Sequence, residues 1–80
     1  MIHAEVFSWK GHEDKEWDPG KPGALEEMKE FFKEKLSKGF RAFALDKEGN
    51  SHPITEFDEA AERVVMTAEK VTVLGPTRGG

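Results

Sequence analysis

Residues 22–38 read PGALEEMKEFFKEKLSK, and the spacing of the apolar side chains in this stretch decides the fold. Leu25, Met28, Phe32 and Leu36 recur at intervals of three and four, which puts them on one face of an α-helix, with Ala24 and Phe31 on its flank. Pro22 suits the first turn, where its missing N–H is not needed. Glu26 and Glu27 lie near the positive end of the helix dipole, and Lys33, Lys35 and Lys38 near the negative end. Gly39 is placed to take the left-handed conformation that closes a helix. Pattern, charge and end signals all agree on one helix over 22–38, with Leu25, Met28, Phe32 and Leu36 as core.

On the N-terminal side, Ile2 to Trp9 is rich in Val, Phe, Trp and Ile and reads as a strand ending at the Lys10-Gly11 turn. Glu13 to Asp18 is its expected hairpin partner, although His12-Glu13-Asp14-Lys15-Glu16 is polar throughout. Trp9 and Trp17 flank the turn and are expected to pack across it as partial core. Asp18-Pro19-Gly20 ends this unit. On the C-terminal side, Phe40 to Leu45 is the next strand, Lys47-Glu48-Gly49-Asn50 a turn, and Ser51 to Phe57 a short returning strand whose Pro53 fits an edge. Phe57 to Glu62 has the look of a single helical turn, with Asp58 as N-cap. Arg63 to Leu74, carrying Val64, Val65, Met66, Val71, Val73 and Leu74, is strand-like and interrupted at Ala68-Glu69-Lys70. It is either one long strand with a bulge or a tight hairpin. Gly75-Pro76 ends it, and Thr77-Arg78-Gly79-Gly80 follows. There is no internal repeat.

Eighty residues bound the chain to one small domain. It lacks cysteine, which excludes a disulfide scaffold, a thiol nucleophile and a cysteine zinc site. The net charge of −4, with Lys and Glu interleaved, argues against nucleic acid as the main partner, because phosphate binding needs a clustered basic face. No apolar run approaches the length of a membrane span, and Met1-Ile2-His3-Ala4-Glu5 has no signal-peptide character. The expected location is the cytoplasm, and the expected partners include neither membrane nor nucleic acid. Abundant Lys and Glu with few thermolabile side chains is a thermophile-like composition.

Candidate chemistry inside the domain is thin. His3, His12 and His52 are scattered, with no carboxylate at a metal-ligand spacing, and no metal is expected. His12-Glu13-Asp14 offers a weak cation site, against which an exposed turn is the stronger expectation. Asp58, Glu59 and Glu62 suggest acid–base work only if burial shifts them, and a solvated helical turn is expected instead. No nucleophile–base pair or phosphate-binding loop is visible, so the chain is not expected to be an enzyme. The final pair Gly79-Gly80 is different. Two glycines make a thin extended tail with no side chain near the carboxylate. Such a tail suits a narrow enzyme channel, although slack or a boundary would leave the same residues.

The order strand, strand, helix, strand, strand, short helix, strand, followed by Arg78-Gly79-Gly80, resembles the ubiquitin-like β-grasp family of protein modifiers and sulfur carriers. The nearest match is the β-branched strand Val71-Thr72-Val73-Leu74, a short linker, and then Arg-Gly-Gly. In topology the likeness spans the whole chain, and in motif only about four residues. Ubiquitin has a second tail arginine where this chain has Pro76, so any activating enzyme must select by other contacts. The resemblance implies an α+β fold, a ubiquitin-like β-grasp domain over 1–75 and a flexible tail over 76–80. It also implies a monomer without cofactor of its own. ATP is used by a partner: an adenylating enzyme binds the tail, the Gly80 carboxylate attacks the α-phosphate of ATP, and an acyl-adenylate forms with loss of pyrophosphate. A cysteine or a sulfur donor then displaces AMP. In the modifier branch Gly80 ends in an isopeptide bond to a target lysine, which brings in a conjugating enzyme, target proteins and a deconjugating protease. In the carrier branch it ends as a thiocarboxylate. Arg78 would guide the tail. Alternation along the last strand turns Thr72 and Leu74 away from Val71 and Val73, so that Leu74, Thr72 and Phe43 form the expected docking patch. A reading of another class is a passive β-grasp or ferredoxin-like interaction module, whose function survives loss of Gly79 and Gly80.

Overall fold

The computed structural model describes residues 1–76. Residues 77–80, which carry the tail expectations for Arg78, Gly79 and Gly80, lie outside the described residues. The chain folds as a small α+β unit. Its elements are β1 (Ile2–Ser8), β2 (Gly11–Trp17), α1 (Ala24–Ser37), β3 (Arg41–Leu45), β4 (Ser51–Ile54), α2 (Glu59–Thr67) and β5 (Lys70–Leu74). The strands form one mixed sheet in the order β2-β1-β5-β3-β4. The first and last strands pair in parallel near its centre, with Ala4 opposite Val71 and Val6 opposite Val73. Every other pairing is antiparallel.

The core lies between the inner sheet face and the helices. Ile2, Ala4 and Val6 of β1, Val71 and Val73 of β5, and Ala42 and Ala44 of β3 are buried, which is the period-two alternation of strands covered on one side. Met28 and Phe32 of α1 are completely buried, and Leu25 and Leu36 pack against the cluster at its margin. The ring of Phe32 stacks on Phe57 at 5.1 Å and lies 5.8 Å from Trp17.

Helix α1 ends as its sequence signals predict. Lys38 is the C-cap, Gly39 follows at φ 90°, and Phe40 N–H donates to the Lys35 carbonyl while Gly39 N–H donates to that of Leu36. These two bonds make a Schellman closure, which needs a left-handed residue and so favours glycine. The N-terminus starts later than its sequence suggests. Gly23 is the N-cap, so Pro22 precedes the helix instead of opening its first turn.

Three expectations are corrected. The segment 63–74 is neither a long strand nor a hairpin. Helix α2 runs through Thr67, and only Lys70–Leu74 is strand. The reason lies in the spacing. Ala61, Val64, Val65 and Ala68 recur at helical intervals and pack on the core, while the Asp58 side chain caps the helix by accepting from Ala61 N–H at 2.9 Å. The single helical turn is thus a helix of nine residues, and the β-branched Val64-Val65 pair is overridden by tertiary packing. Strand β4 stops at Ile54, short of Phe57, which turns into the core. Trp9 and Trp17 do not pack together. The hairpin register pairs Trp17 with Ile2 at the far end from the turn, where Trp17 is buried against Phe31 and Phe32. Trp9, at the turn, is 62% exposed with Lys10 Nζ 5.5 Å from its ring.

Strand β2 is exposed from Gly11 to Glu16, and it is an edge strand, where charge discourages pairing with another chain. Pro53 sits on the opposite edge strand, β4, as its missing N–H requires. The β3–β4 turn is organised by Asp46. Its Oδ1 accepts from Glu48 N–H at 2.9 Å and Asn50 N–H at 2.8 Å, and its Oδ2 lies 2.8 Å from His52 Nε2. The His52 contact first, and then the Asn50 and Glu48 amides, hold the Asp46 carboxyl below the usual aspartate value. A depressed carboxyl supports the fold fully above the ordinary aspartate range, and that support is lost as pH falls through the lowered value. The amide resonances of Glu48 and Asn50 should therefore titrate with a midpoint below that of an exposed aspartate. An Asp46→Asn variant should abolish the transition. A midpoint at or above the ordinary value contradicts this account of the turn.

Candidate functional site

The outward sheet face is set by the same alternation that builds the core. Strand β5 turns Lys70, Thr72 and Leu74 outward, β1 turns His3, Glu5 and Phe7 outward, and β3 turns Arg41, Phe43 and Leu45 outward. The register then fixes neighbours. Leu74 lies between Phe7 and Arg41, and Thr72 between Glu5 and Phe43, with Pro53 beyond Phe43. Leu74, Thr72 and Phe43 thus share one face, as alternation predicts, and Phe43 is directly opposite Thr72.

Phe7 belongs to the same patch and was missed from the sequence. It is 39% exposed and Leu74 is 41% exposed, two large apolar side chains on paired positions of the central strands. The signal was available: Phe7 falls out of phase with Ile2, Ala4 and Val6. In the sequence it merges into an apolar run that ends at Trp9. The outer face is therefore divided. Phe7, Leu74, Phe43 and Pro53 form an apolar half rimmed by Arg41, and His3, Glu5, His12, Asp14 and Glu16 form a polar half on β1 and β2.

The root of the tail is held firmly. Gly75 N–H donates to the Phe7 carbonyl at 2.7 Å, which extends the β1–β5 ladder by one residue. A Cβ on Gly75 would lie 3.1 Å from Ser8 Cβ, 3.2 Å from Phe40 Cε2 and 3.3 Å from the Phe7 oxygen. A side chain here would make these neighbours give by a few tenths of an ångström, so glycine eases a close approach as well as ending the strand. A shallow groove next to this point is lined by Trp9, Lys10, Lys35, Phe40 and Pro76. Trp9 and Phe40 thus line the same groove as Pro76, together with Lys10, Lys35 and Lys38.

Two of the carboxylates at the second helix, Asp58 and Glu62, have structural partners. Asp58 is the N-cap, and Glu62 pairs with Lys29 at 3.4 Å, tying α2 to α1. The histidines are less scattered than the sequence suggests. His52 joins the Asp46 turn, whereas the hairpin register carries His3 and His12 to the same outer face, on either side of Asp14. Among the described residues no helix is long and apolar enough to cross a membrane. No protein-family profile, no curated protein and no solved structure matches the chain.

Proposed function

We propose that this chain is a ubiquitin-like β-grasp modifier that reacts through its own C-terminal carboxylate at Gly80 and takes its catalysis from partner enzymes in the cytoplasm. One observation carries the reading. The sheet order β2-β1-β5-β3-β4, with the first and last strands parallel at its centre, agrees with a β-grasp fold, and in the sequence Gly79-Gly80 follows β5 after four residues. Function belongs to sites more than to folds, and the proposed docking surface lies at the end of β5, shortly before the reactive residues in the sequence. Leu74 is the last residue of β5, and the patch of Phe7, Leu74, Thr72 and Phe43 begins where the tail does.

The division of labour follows from chemistry. The Gly80 carboxylate attacks the α-phosphate of ATP and releases pyrophosphate. A thiolate of the activating enzyme then attacks the acyl-adenylate and releases AMP. Neither step asks for an acid, base or metal from this domain. The domain supplies an apolar contact, the Arg78 charge and a tail thin enough for a closed channel.

The test uses protein with a free Gly80 carboxylate, ATP and the adenylating enzymes of the source organism, read by intact mass. The wild type should form an enzyme thioester, and a Gly79-Gly80 deletion should form none. Leu74→Asp should weaken activation about tenfold, the effect of removing one central apolar contact from an interface. A subsequent lysine adduct marks a modifier. Replacement of one carboxylate oxygen by sulfur marks the carrier alternative, which shares the activation step. If no adenylating enzyme activates the wild type, the proposal falls and the passive interaction module takes its place.

A further inference from the structure

The polar half of the outer face carries a second, unrelated arrangement. Strand register pairs His3 with Glu16, Glu5 with Asp14 and Phe7 with His12. Side chains at such positions stand close enough to share a ligand. His3 Nε2 lies 3.8 Å from Asp14 Oδ1 and 4.0 Å from Glu5 Oε1. One ligand atom from each of His3, Glu5 and Asp14 falls within 4.8 Å of the others. From the other side, His12 Nε2 lies 3.2 Å from Asp14 Oδ1 and 3.9 Å from Glu5 Oε2. One imidazole and two carboxylates thus converge on one spot, with His12 flanking it beside Asp14 and Glu5.

We propose that this spot binds a zinc ion, with His3 Nε2, Glu5 and Asp14 as ligands and the fourth position left to water. Tetrahedral zinc with nitrogen and oxygen ligands at about 2.0–2.2 Å needs its donor atoms about 3.3–3.6 Å apart. His3 Nε2 lies 3.8 and 4.0 Å from the two carboxylates and all three donor atoms fall within 4.8 Å of one another, so side-chain rotations that draw them inward would form the shell. Mixed imidazole and carboxylate donors suit zinc better than calcium or magnesium, which prefer all-oxygen shells.

The surroundings fit a metal site as well as the ligands do. Glu16 Oε1 lies 3.2 Å from His3 Nδ1, the outer carboxylate that orients a ligating imidazole and fixes the tautomer with Nε2 free. The His12 ring stacks on Phe7, with centroids 4.6 Å apart and planes at 14°. The two carboxylates balance the ion's charge. Lys70 Nζ, 3.5 Å from Glu5 Oε1, is the nearby cation that competes, and a carboxylate can give one oxygen to the lysine and the other to the ion. The physical consequence is a clamp. Strand β2 is exposed along most of its length, and the ion would join it to β1 through Asp14.

The experiment is titration of tag-free, chelator-treated full chain with Zn2+, followed by calorimetry, thermal unfolding and the imidazole resonances. One ion per chain should bind, raise the melting temperature and shift the His3 and His12 resonances, while His52 stays in place. His3→Ala and Asp14→Asn should each weaken binding at least tenfold. His52→Ala should bind as the wild type does, and Mg2+ in large excess should not displace the ion. The proposal is overturned if the wild type binds no Zn2+, if His3→Ala and Asp14→Asn bind it undiminished while remaining folded by circular dichroism, or if Mg2+ displaces it. Because the readout is metal binding by the domain alone, the result is independent of whether Gly80 is ever activated.

Discussion

Phe32→Ala should leave the protein largely unfolded at 25 °C. Phe32 is completely buried on the inward face of α1, and three aromatic rings meet it. Phe57 stacks at 5.1 Å, Phe31 meets it edge-on at 5.4 Å and Trp17 is tilted at 5.8 Å. Each ring comes from a different part of the chain or fixes a different contact: Trp17 holds the end of β2, Phe57 the approach to α2, and Phe31 the flank of α1. Truncation removes the transfer energy of the ring and leaves a cavity that rigid neighbours fill only in part, typically about 3–5 kcal/mol. A core in a domain of this size supplies about 3–5 kcal/mol in all, so the loss is comparable to the whole margin. Urea unfolding followed by near-ultraviolet circular dichroism should show a weak or absent transition and loss of the Trp17 signal. Phe32→Leu, closer in volume, should keep a cooperative transition. A Phe32→Ala protein within 1 kcal/mol of the wild type would mean that this cluster is not the centre of the core.

That cluster was partly legible beforehand, and the part that was not has a physical cause. The stripe Leu25, Met28, Phe32 and Leu36 repeats over several turns, so its periodicity stands clear of chance. Gly39 and the lysines before it mark the end of the helix by backbone and charge rules that act locally. The β2 strand was harder, because an edge strand with charged residues on both faces lacks the alternation that marks a half-buried strand. Its existence comes from the tight turn at Lys10-Gly11 and from pairing with β1, and only the register revealed that Trp17 meets Ile2 and not Trp9. The candidate patch was legible where it depended on alternation within one strand, as for Leu74 and Thr72. It was not legible where it depended on which strands are neighbours. Phe7 joins Leu74 only because β1 and β5 pair in parallel, and His3 meets Asp14 only because the hairpin register sets them diagonally. Long-range pairing of this kind leaves no periodic trace in either segment.

The segment 59–67 separates the two periods, and carboxylate substitutions there should show which one governs. In a strand, Val64 and Met66 share a face and Val65 opposes them. In helix α2, Ala61 and Val65 point into the core, Val64 packs at its margin, and Met66 is 42% exposed. Val65→Asp should therefore be severely destabilising, about 3–5 kcal/mol, because it places a carboxylate among apolar side chains with no cation to pair it. Met66→Asp should cost only about 1 kcal/mol, from the poorer helix propensity of aspartate and its charge in the last turn of α2, since the side chain is 42% exposed. Val64→Asp should lie between them, which a strand does not allow, since Val64 and Met66 would then respond alike. The pH dependence supplies a separate check. Burial raises the pKa of an aspartate at position 65 in the folded state, so the native protein binds a proton that the unfolded chain has already released. The deficit of Val65→Asp should shrink as pH falls toward the ordinary aspartate range, and Met66→Asp should show no such recovery. Equal losses at 65 and 66, or a Val65→Asp deficit independent of pH, would place Val65 outside the core and undo the assignment of α2.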